Sequence, residues 1–300
     1  SWTWQDRKSR GTRTFQKERM EELRKKLGGQ KLTILSVEKA AKKSYAPGLY
    51  DLTELQRDAN KRFGYSAKET LNIMQRLYEN HKVLTYPRTD SRYISSDVAE
   101  TLRERLQACA VGPYRKMAGS LAMKPIRTNG SFVDNKKVSD HHAIIPTEQF
   151  VQLDHMTVDE RRIYDLAVRR FLAVLYPPFE YEQTTMYGES GGETFTAKGK
   201  IVKNQGWKAA YESPVDEEDE EESDVREQTL PEMKKGSSFP IESIKLTSGK
   251  TKPPAPFNEA TLLSAMENPV KYMESRDAKA IKTLGEAGGL GTVATRADII

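Results

Sequence analysis

The sequence has 300 residues, and its 48 Lys and Arg side chains against 43 Asp and Glu give a formal net charge of +5. Eight of those acidic residues lie between Asp216 and Asp224, so the rest of the chain is distinctly basic and favours a polyanionic partner. A single cysteine excludes a disulfide-stabilised scaffold, and no apolar run approaches the roughly 20 residues that a transmembrane helix needs.

The N-terminal part of the chain predicts a basic helical segment followed by a strand. Residues 1–29 combine two tryptophans with many basic side chains, and residues 15–27 predict a polar helix. Such an arm could track a nucleic-acid backbone while its rings stack on bases, although a solvated helix face is the more common structure. Alternating apolar and polar side chains in residues 31–37 then predict a strand, which Pro47 and Gly48 end.

Four helix starts follow, and each has a residue that can cap the free N–H groups of the first turn. Ser66 and Thr157 both stand three residues before a glutamate, which is the pattern of a capping box. Apolar side chains recur every three or four residues along the helices that follow. The predicted caps are Asp51, Ser66, Asp97 and Thr157, and the double proline after Tyr176 is expected to end the last helix.

The composition changes beyond these helices. Residues 183–250 contain short alternating runs that predict several antiparallel strands. The acidic run 216–224 is predicted to form a solvated loop between two of them, because successive carboxylates repel one another. A proline-rich linker at 253–256 leads to a helix capped by Asn258, and a glycine-rich turn at 285–291 leads to another helix start.

The order of these elements predicts an α+β fold in which a helical domain is inserted into a β-rich domain. The β-rich domain would comprise residues 30–50 and 179–252, and the inserted helical domain would comprise residues 51–178. Residues 1–29 would form the basic helical segment, and residues 253–300 would begin a second helical segment.

The Tyr-Pro-Arg-Thr-Asp-Ser segment at residues 86–91 is the first candidate for chemistry. Pro87 favours an extended Tyr86, and side chains alternate along an extended chain, so the phenol of Tyr86 and the guanidinium of Arg88 are expected on the same side. This pair suits a phosphate, because the arginine can clamp it while the phenol oxygen attacks phosphorus. A free tyrosine has a pKa of about 10, so the nucleophile would need nearby positive charge or a base, for which Asp90 is the local candidate. An exposed ring beside a solvated cation is the alternative.

Two adjacent histidines, His141 and His142, form a second candidate ahead of the apolar residues 143–146. A histidine can donate a hydrogen bond to a phosphate or move a proton near neutral pH. A zinc site is disfavoured, because the neighbouring sequence lacks a cysteine and a third histidine. A polar loop with solvated histidines is the alternative.

Together these segments resemble the type IA DNA topoisomerases. Residues 83–95 are similar to the active-site segment of that family, and their Tyr-Pro-Arg-Thr-Asp-Ser form resembles its topoisomerase III branch. Residues 139–147 resemble the histidine motif of the family, residues 289–300 resemble its glycine-rich turn and helix, and residues 254–269 resemble the segment before them. Several motifs in the same order along nearly the whole chain are more specific than any one of them.

The resemblance implies a toroidal α+β fold, of which this chain would form the helical nucleophile domain, the β-rich arch and part of a helical DNA-binding domain. It implies that Tyr86 attacks a DNA phosphodiester and forms a 5′-phosphotyrosyl link, that Arg88 holds the scissile phosphate and that His141 assists there. Because the link conserves the bond energy, a strand could pass through the break and the break could be resealed without ATP, which would give relaxation or decatenation.

The resemblance also implies contacts with single-stranded DNA. A helix start after a glycine-rich turn offers free N–H groups that can bind phosphate, although a simple capped turn is the alternative. The residues that we assign to DNA binding are Thr89, Ser91, Arg92, Thr292, Thr295 and Arg296.

The type IA family begins with a Toprim domain, whose acidic residues supply acid–base groups and a magnesium site, and no segment here resembles it. We therefore expect this chain to be part of a longer protein, with Mg²⁺ bound by the Toprim part and no metal bound by this chain. Alone, the chain should bind single-stranded DNA without relaxing supercoils. The resemblance further implies a monomer in the bacterial cytoplasm, associated with the nucleoid and not with a membrane.

Two other functions share part of this sequence pattern. A non-catalytic module that binds single-stranded nucleic acid would share the basic charge and the aromatic side chains, and it would be indifferent to the exchange of Tyr86 for Phe. A tyrosine recombinase would also form a phosphotyrosine, but the several spaced arginines and histidines around its downstream tyrosine are not found here.

Overall fold

The computed structural model describes residues 1–211, 224–273 and 277–300, and the chain divides into two compact units. None of the described helices is long and apolar enough to cross a membrane. The described residues of the first unit lie within Ser1–Ser44, Pro178–Gly206 and Ser213–Pro253, and those of the second lie within Tyr45–Pro177, Trp207–Glu212 and Pro254–Ile300.

The first unit is built on one sheet and a helix. Its elements are, in chain order, β1 (Thr3–Gln5), α1 (Lys17–Leu27), β2 (Lys31–Ser44), β3 (Phe179–Ser190), β4 (Glu193–Asn204), β5 (Glu227–Gln228) and β6 (Ser238–Pro240). The strands lie in the order β1-β4-β3-β2-β6, with β5 beside β4. The antiparallel pairing of β2 with β3 joins segments that are far apart in sequence. The predicted N-terminal helix and the strand that follows it are therefore confirmed.

The hairpin between β3 and β4 depends on two glycines. Gly191 and Gly192 have φ angles of 57° and 82°. Glycine adopts these left-handed values at little cost, and such pairs favour the tight turns that connect twisted antiparallel strands. The prediction of antiparallel strands is confirmed for this hairpin, although β3 begins earlier than predicted, at Phe179. The later strands are short, and β5 runs parallel to β4.

The N-terminal tryptophans belong to the sheet unit and do not form a free arm. Trp4 lies in β1, which pairs with β4, and its Nε1 donates a hydrogen bond to Glu193 at 2.9 Å. The ring of Trp2 lies 6.0 Å from that of Phe239. Both tryptophans are half-buried, so the stacking of bases expected on this segment would require them to leave the sheet.

The loop predicted for the acidic run lies outside the described residues except for Asp224. Asp224 accepts hydrogen bonds from Nε of Arg13 and from the hydroxyl of Thr12, both at 2.7 Å. These contacts, that of Arg13 above all, hold the pKa of the Asp224 carboxyl below its usual value. One carboxylate of the run therefore pairs with the basic N-terminal segment.

The second unit is helical. Its helices are α2 (Leu52–Phe63), α3 (Ala67–Glu79), α4 (Ser96–Glu100), α5 (Leu102–Ala108), α6 (Arg115–Ala122), α7 (Val158–Leu175), α8 (Glu259–Glu267), α9 (Ala278–Glu286) and α10 (Arg296–Ile299). The capping boxes predicted at Ser66 and Thr157 are confirmed, since each hydroxyl accepts a hydrogen bond from the backbone three residues later. Asp51 caps α2 in the same way, at 2.7 Å from the N–H of Glu54.

The helix predicted after Asp97 is split in two. The chain turns between α4 and α5 at Thr101, whose hydroxyl donates to the carbonyl oxygen of Val98 at 2.8 Å. This local hydrogen bond competes with a continued helix. The apolar spacing did not reveal the break, because α5 still buries Leu102 and Leu106.

The central helix α7 holds the second unit together. Ile163, Phe171 and Leu172 on this helix are fully buried, and it ends before the double proline as predicted. Arg170 on the same helix forms a buried ion pair with Asp58 of α2 at 2.8 Å. The helix therefore fixes α2 through both apolar and charged contacts.

The segment after the proline-rich linker packs in the same unit. α8 lies against α2 and α10 against α3, with Ala67, Leu263 and Ala297 in one buried cluster. A polar contact lies beside it, from Nη1 of Arg57 to Glu267 at 3.2 Å. The segment predicted to begin a second helical domain therefore shares a compact unit with the central helices.

Candidate active site around Tyr86

Two neighbouring segments of the second unit build the site. Leu84 and Pro146 form an isolated antiparallel bridge. The N–H of Thr85 donates to the carbonyl oxygen of Ile145, and the N–H of Ile145 donates to the hydroxyl of Thr85, both at 3.0 Å. The tyrosine and histidine motifs therefore lie side by side, although they are distant in sequence.

Tyr86 is half-buried between two aromatic rings. The ring of His141 lies 4.1 Å away, tilted by 30°, and the ring of Tyr78 lies 5.5 Å away at 81°, edge to face. Contacts of this kind contribute about 0.5–1.5 kcal/mol each beyond burial. His141 is exposed, and its ring nitrogens have no hydrogen-bond partner among the described residues. The two rings thus restrict the orientation of the phenol and leave it partly accessible.

The chain bends at Pro87 and Arg88 and does not remain extended. The alternation that put Tyr86 and Arg88 on the same side therefore does not apply at this point. Arg88 is oriented instead by a later segment, since its Nη1 donates to the carbonyl oxygen of Ala294 at 3.1 Å. Its other donors have no hydrogen-bond partner in the part of the chain that is described, so the half-buried guanidinium keeps the capacity to bind a ligand.

Thr89 and Ser91, which we assigned to DNA binding, are buried. The hydroxyl of Thr89 accepts from the N–H of Ser91 at 3.1 Å, and it donates weakly to the carbonyl oxygen of His141 at 3.5 Å. The hydroxyl of Ser91 donates to the carbonyl oxygen of Lys137 at 2.7 Å. Side chains that are paired inside the protein are not available to DNA, so this geometry argues against the predicted contacts. Thr89 and Ser91 instead connect the loop that carries the histidines to the segment that carries Tyr86.

Arg92 also supports the protein chain. Its Nε donates to the carbonyl oxygen of Leu49 at 2.9 Å, and its Nη2 donates to that of Gly48 at 3.3 Å. These carbonyl groups belong to the segment that leads into α2. A phosphate would have to compete with them for the same donors, so the position of Arg92 argues against the DNA contact predicted for it.

Arg296 is buried, with 4% of its surface exposed. Its guanidinium donates to the carbonyl oxygens of Gly288, Leu290 and Gly291 at 2.8, 3.1 and 3.3 Å. It also lies 3.4 Å from a carboxylate oxygen of Glu267. The glycine-rich turn is therefore wrapped around this guanidinium, and its burial argues against the DNA contact predicted for Arg296.

Thr292 and Thr295 are exposed, unlike Arg296. The hydroxyl of Thr295 accepts from the N–H of Thr292 at 3.0 Å and lies 3.1 Å from the hydroxyl of Thr292. The chain is still in a turn here, since α10 begins at Arg296 and not at residue 292 as predicted. The two hydroxyls remain open to solvent, and their part in DNA binding stays a prediction.

A cavity of about 600 Å³ lies beside Tyr86, and it was not predicted from the sequence. The side chains in its wall include Tyr78, Lys82, Tyr86, Arg105, His142 and Glu148. The spacing of Leu71, Met74, Leu77 and Tyr78 predicts one apolar face of α3, but Tyr78 is 36% exposed. A polar-tipped ring at the C-terminal end of that face was the signal in the sequence that could have indicated the cavity.

His142 differs from its neighbour His141. It is half-buried, and its Nδ1 lies 2.8 Å from the carbonyl oxygen of Ala143. Because a carbonyl only accepts, Nδ1 carries the proton and Nε2 is left as the acceptor. Burial lowers the pKa of His142, so its ring is neutral near pH 7. An exposed histidine thus stacks on the phenol, and a neutral one lines the cavity.

The described residues offer no group of three or more His, Cys, Asp or Glu side chains that could hold a metal ion. Cys109 is buried, and burial raises the pKa of its thiol to about 12, which makes it a poor metal ligand. The binding of Mg²⁺ by a Toprim part of a longer protein stays a prediction.

Comparison with known proteins extends the resemblance to the whole chain. The family described as DNA topoisomerase matches residues 2–300. DNA topoisomerase 3 of Bacillus cereus (strain ATCC 14579) is 60% identical over 298 residues, which are 99% of this chain and 41% of that relative. DNA topoisomerase 3 of Bacillus subtilis (strain 168) is 56% identical over the same shares. The chain spans about two fifths of the length of these curated relatives.

The full-length topoisomerase I of Thermotoga maritima has a similar structure. The TM-score is 0.66 at 20% identity, and the match covers 96% of this chain and 42% of that one. At this identity the likeness shows the fold, and it agrees with the α+β architecture predicted from the sequence. The match over almost every residue confirms the resemblance first seen in the tyrosine and histidine motifs. The chain belongs to the DNA topoisomerase family.

Proposed function

We propose that this chain supplies the nucleophile of a type IA topoisomerase of the topoisomerase III kind. The observation that carries the proposal is the environment of Tyr86, a half-buried phenol stacked on an exposed histidine at the edge of a cavity. Arg88 follows two residues later with uncommitted guanidinium donors. A phenol held by aromatic rings, followed two residues later by an arginine with uncommitted donors, is suited to nucleophilic attack on a phosphodiester.

The proposed reaction exchanges one phosphoester bond for another. The phenol oxygen of Tyr86 attacks phosphorus in one DNA strand and loses its proton, while the bond from phosphorus to the 3′ oxygen breaks and that oxygen leaves with a proton. The product is a 5′-phosphotyrosyl link and a free 3′-hydroxyl. After a second strand has passed, the 3′-hydroxyl attacks the link and releases Tyr86, so no ATP is consumed.

Arg88 and His141 would act on the phosphate. The contact of Arg88 with Ala294 uses one of its donors, and the remaining donors could bind the oxygens of the scissile phosphate. The ring of His141 lies against the phenol and has no hydrogen-bond partner among the described residues. It could therefore donate to a phosphate oxygen while it keeps Tyr86 in place.

A base for the phenol and a magnesium site would come from elsewhere. Asp90 is exposed, but no described contact directs it to Tyr86. The chain also corresponds to 41% of the Bacillus cereus relative. We therefore propose that this chain binds single-stranded DNA as a monomer but does not relax supercoiled DNA alone, and that it works in the bacterial cytoplasm on the nucleoid.

The test is covalent capture of DNA by the full-length protein that carries this chain. Labelled single-stranded DNA is incubated with Mg²⁺ and the reaction is stopped with denaturant. The protein should carry the label, and Tyr86→Phe should lose it while still binding DNA. Tyr45→Phe changes an exposed tyrosine elsewhere in the second unit and serves as the matched control.

The alternative of a non-catalytic binding module makes the opposite prediction. In that case Tyr86→Phe would have no effect, because no covalent adduct would form in either protein. The proposed inactivity of the 300-residue chain is tested separately, with stoichiometric chain, supercoiled plasmid and Mg²⁺. Relaxation under those conditions would refute the proposal that the base and the metal site lie outside this chain.

A further inference from the structure

We propose that the cavity beside Tyr86 is a subsite for the base of the first nucleotide 3′ to the cleaved bond, and that it prefers a base with an exocyclic amine over thymine. The proposal rests on the proposed function, because it takes Tyr86 as the residue that receives the 5′-phosphate. In the 5′-phosphotyrosyl link, the first nucleotide stays attached to Tyr86, which lines the cavity. The volume of about 600 Å³ lies within the roughly 300–1,000 Å³ typical of small-ligand sites.

The cavity has a surface on which a base can stack. The ring of Tyr78 is partly exposed and meets the ring of Tyr86 edge to face at 5.5 Å. Leu84 lies in the same wall and is itself fully buried. Proteins bind unpaired bases by stacking them on such exposed aromatic rings. Tyr78 is therefore assigned to the base and not to the apolar core.

The charges of the cavity fit a neutral ring better than a second phosphate. Arg105 already donates to Thr101 at 2.8 Å and to the carbonyl oxygen of Pro146 at 2.9 Å, and it pairs with Glu148 at 2.9 Å. Its guanidinium is thus committed to the protein. The carboxylates of Glu148 and Glu79 also line the cavity, and they would repel a phosphate.

The polar groups of the cavity favour a base that donates. His142 is neutral, and its Nε2 is an acceptor. Glu148 is 47% exposed in its side chain, so its carboxylate can accept a further hydrogen bond. Cytosine and adenine present an amine to such acceptors, whereas thymine offers a carbonyl oxygen and a methyl group at that edge.

Lys82 lines the cavity and has an unusual backbone conformation. Its φ is 56°, a left-handed value that is uncommon for residues other than glycine. The hydroxyl of Thr147, also in the cavity wall, donates to its carbonyl oxygen at 2.6 Å and helps to hold this conformation. Strained backbone of this kind clusters at binding and active sites. It keeps a lysine at the cavity wall, where the phosphate after the first base would pass.

The test is the binding of 5′-phosphorylated oligonucleotides to the 300-residue chain, which needs no cleavage. Two single-stranded probes differ only in the first nucleotide, dC or dT. We expect the dC probe to bind about fivefold or more tightly. Tyr78→Ala should weaken binding of the dC probe about tenfold, whereas Tyr78→Phe, which keeps the aromatic ring, should bind it as the unaltered chain does. Glu148→Ala should bring the affinities of the two probes close together.

Tyr45→Ala, which removes an exposed tyrosine away from the cavity, is the matched control and should bind as the unaltered chain does. Equal affinities for the dC and dT probes, or an equal loss in Tyr45→Ala and Tyr78→Ala, would overturn the subsite. That failure is distinct from failure of the proposed function. Covalent capture through Tyr86 would persist in the first case and be absent in the second.

Discussion

The tyrosine segment and the helix that follows the glycine-rich turn each contain an arginine that the sequence assigns to DNA, and the structure uses the two differently. Arg296 is buried and donates to the carbonyl oxygens of the turn around it. Arg88 is half-buried and donates to Ala294, with its remaining donors free of described partners. A cation in a DNA-binding motif can therefore be part of the scaffold. Of the two arginines, Arg88 is the one that can bind phosphate, because it has donors without a described partner.

The largest expected effect is on Arg88. In the full-length protein, Arg88→Ala should slow covalent capture of single-stranded DNA by about 100- to 1,000-fold, as the loss of a donor to transition-state charge typically does. The unfolding free energy of the chain should fall by only about 1 kcal/mol, because the contact with Ala294 is one hydrogen bond. Arg88→Lys keeps the charge but not the two-pronged geometry, so it should restore capture only in part.

If Arg88→Ala lowered the unfolding free energy strongly and left covalent capture nearly unchanged, Arg88 would belong to the scaffold, as Arg296 does. Covalent capture, measured as labelled protein after denaturation, and urea unfolding of the same variant decide between the two outcomes. Both measurements are needed, because a loss of capture in an unfolded protein would say nothing about the phosphate.

The next effect is on the stability of the glycine-rich turn. Arg296→Ala should lower the unfolding free energy by about 3 kcal/mol, because it leaves buried carbonyl oxygens and Glu267 without their partner. Urea unfolding of the chain measures this loss. Lys68→Ala on α3 removes an exposed pairing with Asp298 of α10 and should cost well under about 1 kcal/mol. Equal costs for the two variants would contradict the buried role of Arg296.

Local signals in the sequence predicted much of this fold. The capping boxes at Ser66 and Thr157 lie within one turn of helix, so their partners are neighbours in sequence, and both are confirmed. The pairing of Trp4 with Phe195 in the sheet was missed, because a three-residue strand carries almost no periodicity and its partner is far along the chain. Tertiary pairing of this kind cannot be read from a local pattern.

In the candidate site, too, local features were predictable from the sequence and contacts between distant segments were not. The residue types at Tyr86, Arg88 and His141 indicated phosphate chemistry, and the structure brings Tyr86 and His141 into contact. The burial of Thr89 and Ser91 was not predictable, because it depends on hydrogen bonds to a loop from a distant part of the sequence. Whether a polar side chain of a motif faces DNA or the protein is decided by such contacts.

A pH-dependent effect concerns Asp51, which lies close to the guanidinium groups of Arg92, Arg57 and Arg296. Burial raises its pKa to about 7, although these arginines act in the opposite direction. The folded chain therefore holds this proton between about pH 4 and pH 7 while the unfolded chain releases it. The Asp51 contribution to stability should fall as the pH rises through that window, by at most about 1.4 kcal/mol per pH unit.

Asp51→Asn keeps a side-chain acceptor for the N–H of Glu54 but cannot titrate. Its unfolding free energy should therefore change less than that of the unaltered chain between pH 4 and pH 7. Urea unfolding over a pH series gives both curves. If the two curves run parallel, another group carries the pH dependence and the raised pKa of Asp51 is wrong.

The smallest effect separates the exposed hydroxyls that follow the glycine-rich turn from the buried Arg296. Thr292→Val should weaken binding of single-stranded DNA by about threefold, the loss of one neutral hydrogen bond. The dependence of the binding constant on salt should not change, because a hydroxyl releases no counterion. Binding titrations at several salt concentrations measure both quantities, and Thr283→Val on α9 is the matched control. A reduced salt slope in Thr292→Val would mean that the substitution displaces a cation, and the turn would then have to bind phosphate through charge after all.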